Sequence, residues 1–221
     1  MKLQNVTKKY GNKAALNDVT VEIEEGKITA VLGESGAGKT TLLNAIAGLI
    51  DVEGSVSDAG RVSYLFQSPK LLPNLTVEGN LKFVLPKELW GKIPDMLARV
   101  GLGGREKDLP NHLSGGERQR VTIARAFLFP HDTLLMDEPF ASLDLALKKK
   151  LIELVLELWK EGGKTVVFVT HDVHEAALLS HRALVLKAGE LCGDFSVEEP
   201  LPRDFFAHLP VEEKLVRTLM E

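Results

Sequence analysis

The chain has 221 residues, 44% of them apolar and 26% charged, with a net charge of −4. That is enough apolar material for a substantial core in one large domain or two small ones, and the acidic balance argues against nucleic acid as a main partner. The one cysteine, Cys192, excludes an internal disulfide and fits no zinc spacing. No run reaches the ~20 apolar residues that cross a bilayer, and the opening MKLQNVTKKYG lacks the apolar centre of a secretion signal. A cytosolic chain is expected, one that neither spans a membrane nor follows the export route.

Two short strands are expected around Lys2–Thr7 and Ala15–Ile23, joined by the turn residues Lys9-Tyr10-Gly11-Asn12. Tyr10, a flat aromatic beside a glycine, is either a packing residue or a platform for a base. Lys27–Leu32 (KITAVL) reads as a buried strand, and Gly33–Thr40 (GESGAGKT) follows it. This stretch matches the phosphate-loop spacing of Gly, four free positions, Gly, Lys, Ser or Thr. Gly33, Gly36 and Gly38 let successive N–H groups converge on an anion. The helix expected over Thr41–Leu49 turns its positive end toward the same point. Lys39 offers a point charge for the outer phosphates, and Thr40 a hard oxygen for Mg²⁺. The candidate nucleotide-binding set is therefore Gly33, Glu34, Ser35, Gly36, Ala37, Gly38, Lys39, Thr40 and Thr41.

Asp51 to Ser63 is polar and turn-rich, and Val62–Phe66 is a strand that delivers Gln67 at its end. Pro69 and Pro73 forbid a regular element next. Short helices are expected over Thr76–Val84, with Thr76 as N-cap, and over Pro94–Val100, in a small helical insert between about Lys70 and Phe127. Leu113–Gln119 (LSGGERQ) opens a helix that lasts until Pro130. Ser114 and Glu117 have capping-box spacing. Ser114, Gly115 and Gly116 also present the donors of an anion site, and spacing alone does not choose between the two readings.

Thr133–Met136 (TLLM) is an apolar strand ending in Asp137-Glu138-Pro139, where an open α/β sheet places ligand chemistry. Asp137 suits Mg²⁺ held through water, and Glu138 a water to be oriented or deprotonated. Together with the phosphate loop, this acidic pair indicates a nucleoside triphosphatase. Ser142-Leu143-Asp144 begins a helix to about Trp159, with Lys148 to Lys150 on its solvated face. Thr165–Thr170 (TVVFVT) is a buried strand with His171-Asp172 at its carboxyl end. Ala183–Lys187 reads as the last strand, and residues 200–221 end in a short amphipathic helix.

These motifs, in this order, resemble the nucleotide-binding ATPase of ATP-binding cassette transporters over roughly residues 1–195. GESGAGKT corresponds to Walker A, Gln67 to the Q-loop, LSGGERQ to the signature motif, and TLLMDE to Walker B. Ser142-Leu143-Asp144 corresponds to the D-loop, His171 to the switch histidine, and Tyr10 to the adenine-stacking aromatic. The resemblance implies an α/β P-loop fold with a mainly parallel core sheet, an N-terminal antiparallel β subdomain and an inserted helical subdomain. Its parts would be a core of residues 1–69 and 128–195, a helical subdomain of residues 70–127 and a tail of residues 196–221. It further implies ATP and Mg²⁺, the latter held by Thr40, Gln67 and Asp137, and catalysis by Glu138, His171, Gln67 and Lys39. A second copy would dimerise head to tail, with Ser114, Gly115, Gly116 and Asp144 facing the partner's ATP. Membrane permease subunits and an external solute-binding protein complete the expected partners, on the cytoplasmic face of the cell membrane. FQSPKLLPNLTVEGNL looks like the importer branch for nitrate, sulfonate, taurine and similar solutes. Export or envelope maintenance, and soluble work in translation or DNA repair, are the alternative roles.

Overall fold

The computed structural model describes residues 1–141 and 143–220; Ser142 of the Ser142-Leu143-Asp144 segment lies outside the described residues. β1 (Lys2–Tyr10) and β2 (Lys13–Glu22) pair antiparallel, with Tyr10 opposite Lys13. Both strands reach closer to their turn than the alternation of apolar residues indicates. β3 (Ile28–Leu32) is buried at every position, and the phosphate loop leads from it into α1 (Lys39–Ile46). The stretch expected only as turns contains β4 (Glu53–Val56), which pairs with β1 and completes a three-stranded antiparallel sheet, β2-β1-β4.

The larger sheet contains β5 (Val62–Leu65), β6 (Thr133–Asp137), β7 (Thr165–Thr170), β8 (Arg182–Lys187) and β9 (Glu190–Ser196) in the order β5-β6-β7-β3-β8-β9. Its first five members run parallel and β9 returns antiparallel to β8. Unbroken apolar runs such as TVVFVT suit a sheet covered on both faces, and the period of two assigns each residue to one of them. Val31, Leu135, Val167 and Val169 face α1 and the small sheet. Ile28, Leu134, Met136, Val166 and Phe168 face the opposite core.

That opposite core is covered by α2 (Val77–Lys82), α3 (Ile93–Arg99), α4 (Gly115–Leu128), α5 (Leu145–Gly162), α6 (Val173–Leu179) and α7 (Pro210–Met220). Thr76 caps α2 through the Gly79 N–H, as its position indicates. Asp144 caps α5, so this helix starts at Leu145 and does not include Leu143 or Asp144. Between β5 and α2 the chain is irregular, and the buried Asn80 holds it. Its amide donates to the carbonyls of Leu72, Leu75 and Thr76, and its side-chain oxygen accepts from the Leu72 N–H. No described helix is long and apolar enough to cross a membrane.

The tail is fastened to α6. The Arg203 guanidinium donates to the carbonyls of Ala177 and Ser180, at 2.7 Å each, which satisfies acceptors that a helix end leaves free. His174 is held at both nitrogens: Nδ1 lies 2.9 Å from Glu212 and Nε2 lies 2.8 Å from the Phe205 carbonyl. Both neighbours are acceptors, so only the imidazolium satisfies them together. Burial pulls its pKa down, but the hydrogen bonds to Glu212 and Phe205, helped by Asp172, outweigh that and hold it above the ordinary 6.5. A raised folded-state value means that this clamp contributes fully below about pH 6.5 and fades as pH rises through the raised value. Protection factors of the α7 amides, which divide out the base-catalysed intrinsic rate, are expected to fall over that window, and His174→Gln to flatten the dependence. Protection factors in α7 that stay constant from about pH 6 to 9 in the wild-type chain would contradict the clamp.

Candidate active site

The strand order decides which residues meet. β5, β6, β7 and β3 are neighbours, so the segments leaving their carboxyl ends line one edge: Gln67, Asp137-Glu138, His171 and the glycine loop. This is where an open α/β sheet offers a crevice.

In the loop, Glu34, Ser35 and Gly36 are exposed while Gly33, Ala37 and Lys39 are buried. Two of its glycines are fixed by their surroundings. A Cβ on Gly33 would lie 2.3 Å from the Leu186 carbonyl oxygen, and one on Gly38 would lie 2.2 Å from that of Ala15. Gly38 also has φ 106° at the start of α1, a conformation open to glycine and few others. Thr40 and Thr41 form the first turn of α1, where free N–H groups point outward. The Lys39 ammonium folds back on its own loop, donating to the carbonyls of Gly33 at 2.7 Å and Glu34 at 2.9 Å. Burial lowers its pKa, and the nearby Glu138 and Asp137 oppose that fall.

The Thr40 hydroxyl donates to Asp137 Oδ2 at 2.9 Å. Asp137 is buried, which raises its pKa against that hydrogen bond, and the Glu138 charge raises it further. A hydroxyl and a carboxylate held this close form the hard-oxygen set that Mg²⁺ prefers. Glu138 is the centre of the arrangement. Gln67 Nε2 donates to its Oε2 at 3.3 Å, His171 Nδ1 lies 3.5 Å from the same oxygen, and Lys39 Nζ lies 3.9 Å from Oε1. Glu138 has φ 46°, a strained value for a residue with a side chain, and its N–H donates to the Val169 carbonyl at 3.0 Å. Nothing in the sequence announces this conformation. A cavity of about 380 Å³ opens beside these groups, lined by Gln67, Glu138 and His171 and by Lys148 and Glu175. A larger cavity, about 810 Å³, lies elsewhere, among Trp159, Phe129 and Arg61 near the amino ends of the strands, and none of the motif residues lines it.

The remaining candidates form a second group. Ser114 caps α4 in a full capping box with Glu117, and Ser114 and Gly115 are exposed. The box and the anion site are compatible, because Gly115 and Gly116 keep free N–H groups at this helix start. A Cβ on Gly116 would sit 3.4 Å from Leu147 and 3.9 Å from Leu143, so the signature stretch adjoins the segment that ends in Asp144. Among the described residues, no hydrogen bond or ion pair joins this group to the glycine loop. Tyr10 is exposed at the end of β1, beside Lys8. The same hairpin brings the Ala15 carbonyl against Gly38.

Residues 16–141 match the family model described as "ABC transporter". The chain is 43% identical over 205 residues to the aliphatic sulfonates import ATP-binding protein SsuB 1 of Paracoccus denitrificans, covering 91% of this chain and 85% of that protein. It is 42% identical over 207 residues to SsuB 2 of Rhodococcus jostii, covering 92% and 85%. Among solved structures it is similar to the dimeric post-hydrolysis state of the ATP-binding cassette MJ0796 bound to ADP and Pi. That likeness has a TM-score of 0.79 at 33% identity over 90% of this chain and 99% of the other. With this fold, these motifs at the ends of adjacent strands, and curated relatives matched over 85% of their length, the chain belongs to the ABC transporter family as an ATP-binding cassette.

Proposed function

We propose that the chain is the ATP-hydrolysing subunit of an importer for aliphatic sulfonates, working as a head-to-tail pair of cassettes closed on two ATP molecules. The observation that carries the ATPase reading is the convergence of Gln67, His171 and Lys39 on the Glu138 carboxylate, beside Thr40 and Asp137. The glycine loop and the start of α1 receive the phosphates through backbone N–H groups, and the Lys39 ammonium exchanges its loop carbonyls for phosphate oxygens. Mg²⁺, when bound by Thr40, Asp137 and Gln67, neutralises charge that develops on the phosphates. Glu138 takes the proton of the attacking water, His171 holds the γ-phosphate, and Gln67 orients the water and carboxylate. Tyr10 stacks on the adenine.

Ser114, Gly115, Gly116 and Asp144 face the partner's nucleotide, which accounts for two separate groups of phosphate-type residues in one chain. Residues 1–69 and 128–195 act as the nucleotide-binding core and residues 70–127 as the helical part that moves against it. The loop after Gln67, pinned by Asn80, presents a groove to the permease at the cytoplasmic face of the membrane. An external binding protein delivers the solute.

The solute class rests on likeness to the sulfonate importers, and uptake tests it. Deleting the chain from its own cell is expected to abolish accumulation of labelled ethanesulfonate, with recovery by the wild-type chain and none by Glu138→Gln. Undiminished uptake would overturn the solute while leaving the ATPase in place.

A further inference from the structure

Lys148 reads from sequence as one of three solvated lysines on α5. In the fold it turns inward and lines the same cavity as Glu138 and His171. Its ammonium lies 2.6 Å from Glu175 Oε1 and 3.2 Å from Asp172 Oδ2. These carboxylates belong to α6 and to its N-cap, immediately after His171. Glu175 is only 5% exposed at its side chain. Its other oxygen accepts from the Thr170 hydroxyl at 2.6 Å, and the same hydroxyl accepts from the Asp172 N–H at 3.1 Å. Burial lowers the Lys148 pKa, but the two carboxylates outweigh it, and the net shift is upward. The ammonium is therefore held as the shared cation of the two carboxylates.

The residues on both sides of His171 are thus tied to one ammonium: Thr170 through Glu175, and Asp172 directly. Lys148 also stands one helical turn after Asp144, and its own N–H donates to the Asp144 carbonyl at 2.8 Å. We infer that Lys148 is a positioning residue for ATP hydrolysis: it spans α5 and α6 and fixes the His171 backbone at the distance from which the imidazole reaches Glu138. The inference rests on the ATPase reading above. It adds a residue that acts through the placement of His171.

The charge balance explains why this position takes a cation. Without Lys148, the buried Glu175 and the half-buried Asp172 would both lose the cation that pairs them. Glu175 would retain the Thr170 hydroxyl as a partner, but no opposite charge. The loop carrying His171 would then move to bring these carboxylates toward water. A shift near 1 Å at a reacting group costs as much as about 100-fold in rate.

The test compares Mg-ATP turnover and thermal melting of the full chain in four forms: wild type, Lys148→Met, Lys148→Arg, and Lys148→Met with Glu175→Gln. In Lys148→Met, kcat is expected to fall about 10- to 100-fold with KM for ATP within about threefold, because Lys39 and the glycine loop are intact. Its melting temperature should drop by roughly 5–10 °C. Lys148→Arg should restore most of both. The double variant, which removes the buried Glu175 charge along with the ammonium, should regain most of the melting temperature but not turnover. Turnover that recovers together with melting temperature would reduce Lys148 to a structural ion pair and overturn the inference, as would wild-type kcat in Lys148→Met. A wild-type chain that neither binds nor hydrolyses Mg-ATP would overturn the ATPase reading itself, so the two failures are distinct.

Discussion

Glu138→Gln is expected to lower ATP turnover by at least about 100-fold, the usual loss when a general base is removed, while leaving ATP affinity close to wild type. The reason lies in the division of labour around this residue. In the proposed mechanism the phosphates are received by the glycine loop, Lys39 and Thr40; Lys39 is held by the Gly33 and Glu34 carbonyls and Thr40 by Asp137, so these contacts survive the substitution. Gln67 and His171 both address one Glu138 oxygen, at 3.3 and 3.5 Å, and an amide keeps the shape while losing the basicity. A cassette that binds but cannot hydrolyse should accumulate as the closed pair, visible as a shift from monomer to dimer in gel filtration with Mg-ATP and not with ADP. Turnover near the wild-type rate in this variant would remove Glu138 from its role. ATP binding with no dimer would instead assign closure to the membrane partner.

Gly38→Ala is expected to abolish measurable ATP binding and to destabilise the fold by roughly 3 kcal/mol or more, read by isothermal titration and by the denaturant midpoint. Two costs add at this position. The left-handed conformation, φ 106°, is strained for any residue with a Cβ, and that Cβ would lie 2.2 Å from the Ala15 carbonyl oxygen. Backbone, not a flexible side chain, is what it meets, so β2 or the loop must move. Gly36→Ala is the internal control. It also has positive φ, 82°, but nothing lies within 4 Å of its added Cβ, so only the conformational cost of about 1–2 kcal/mol remains. Equal losses in the two variants would show that space around Gly38 does not matter.

The parts of this molecule that were legible in the sequence are those where chemistry restricts residue type. A phosphate loop needs its glycines, lysine and hydroxyl at fixed spacing, and a buried parallel strand needs an apolar run, so β3, β6 and β7 are evident at once. α6 is harder to see because it has only seven residues, although Asp172 and Glu175 have the spacing of a capped start. β9 is hidden by its composition: ELCGDFS alternates exposed and half-buried positions with few apolar residues, and it is a strand because β8 offers it an edge. Lys148 misleads for a different reason. Three consecutive lysines on an amphipathic helix look alike, and only the later placement of Asp172 and Glu175 separates the first from its neighbours. The positive φ of Glu138 leaves no trace in residue type, since the strain is imposed by β7 and the turn that follows.

The position of β3 in the sheet also bears on how the protein is made. Its hydrogen-bonded neighbours are β7, residues Thr165–Thr170, and β8, residues Arg182–Lys187. During synthesis from the amino end, the strand that leads into the glycine loop waits for partners that follow more than a hundred residues later. Such distant pairing slows folding, because the intervening chain must close as one large loop before either edge is rewarded. Until then an apolar strand has open edges on both sides, the condition under which nascent chains associate with one another. The glycine loop thus leaves the ribosome long before the strands that frame it.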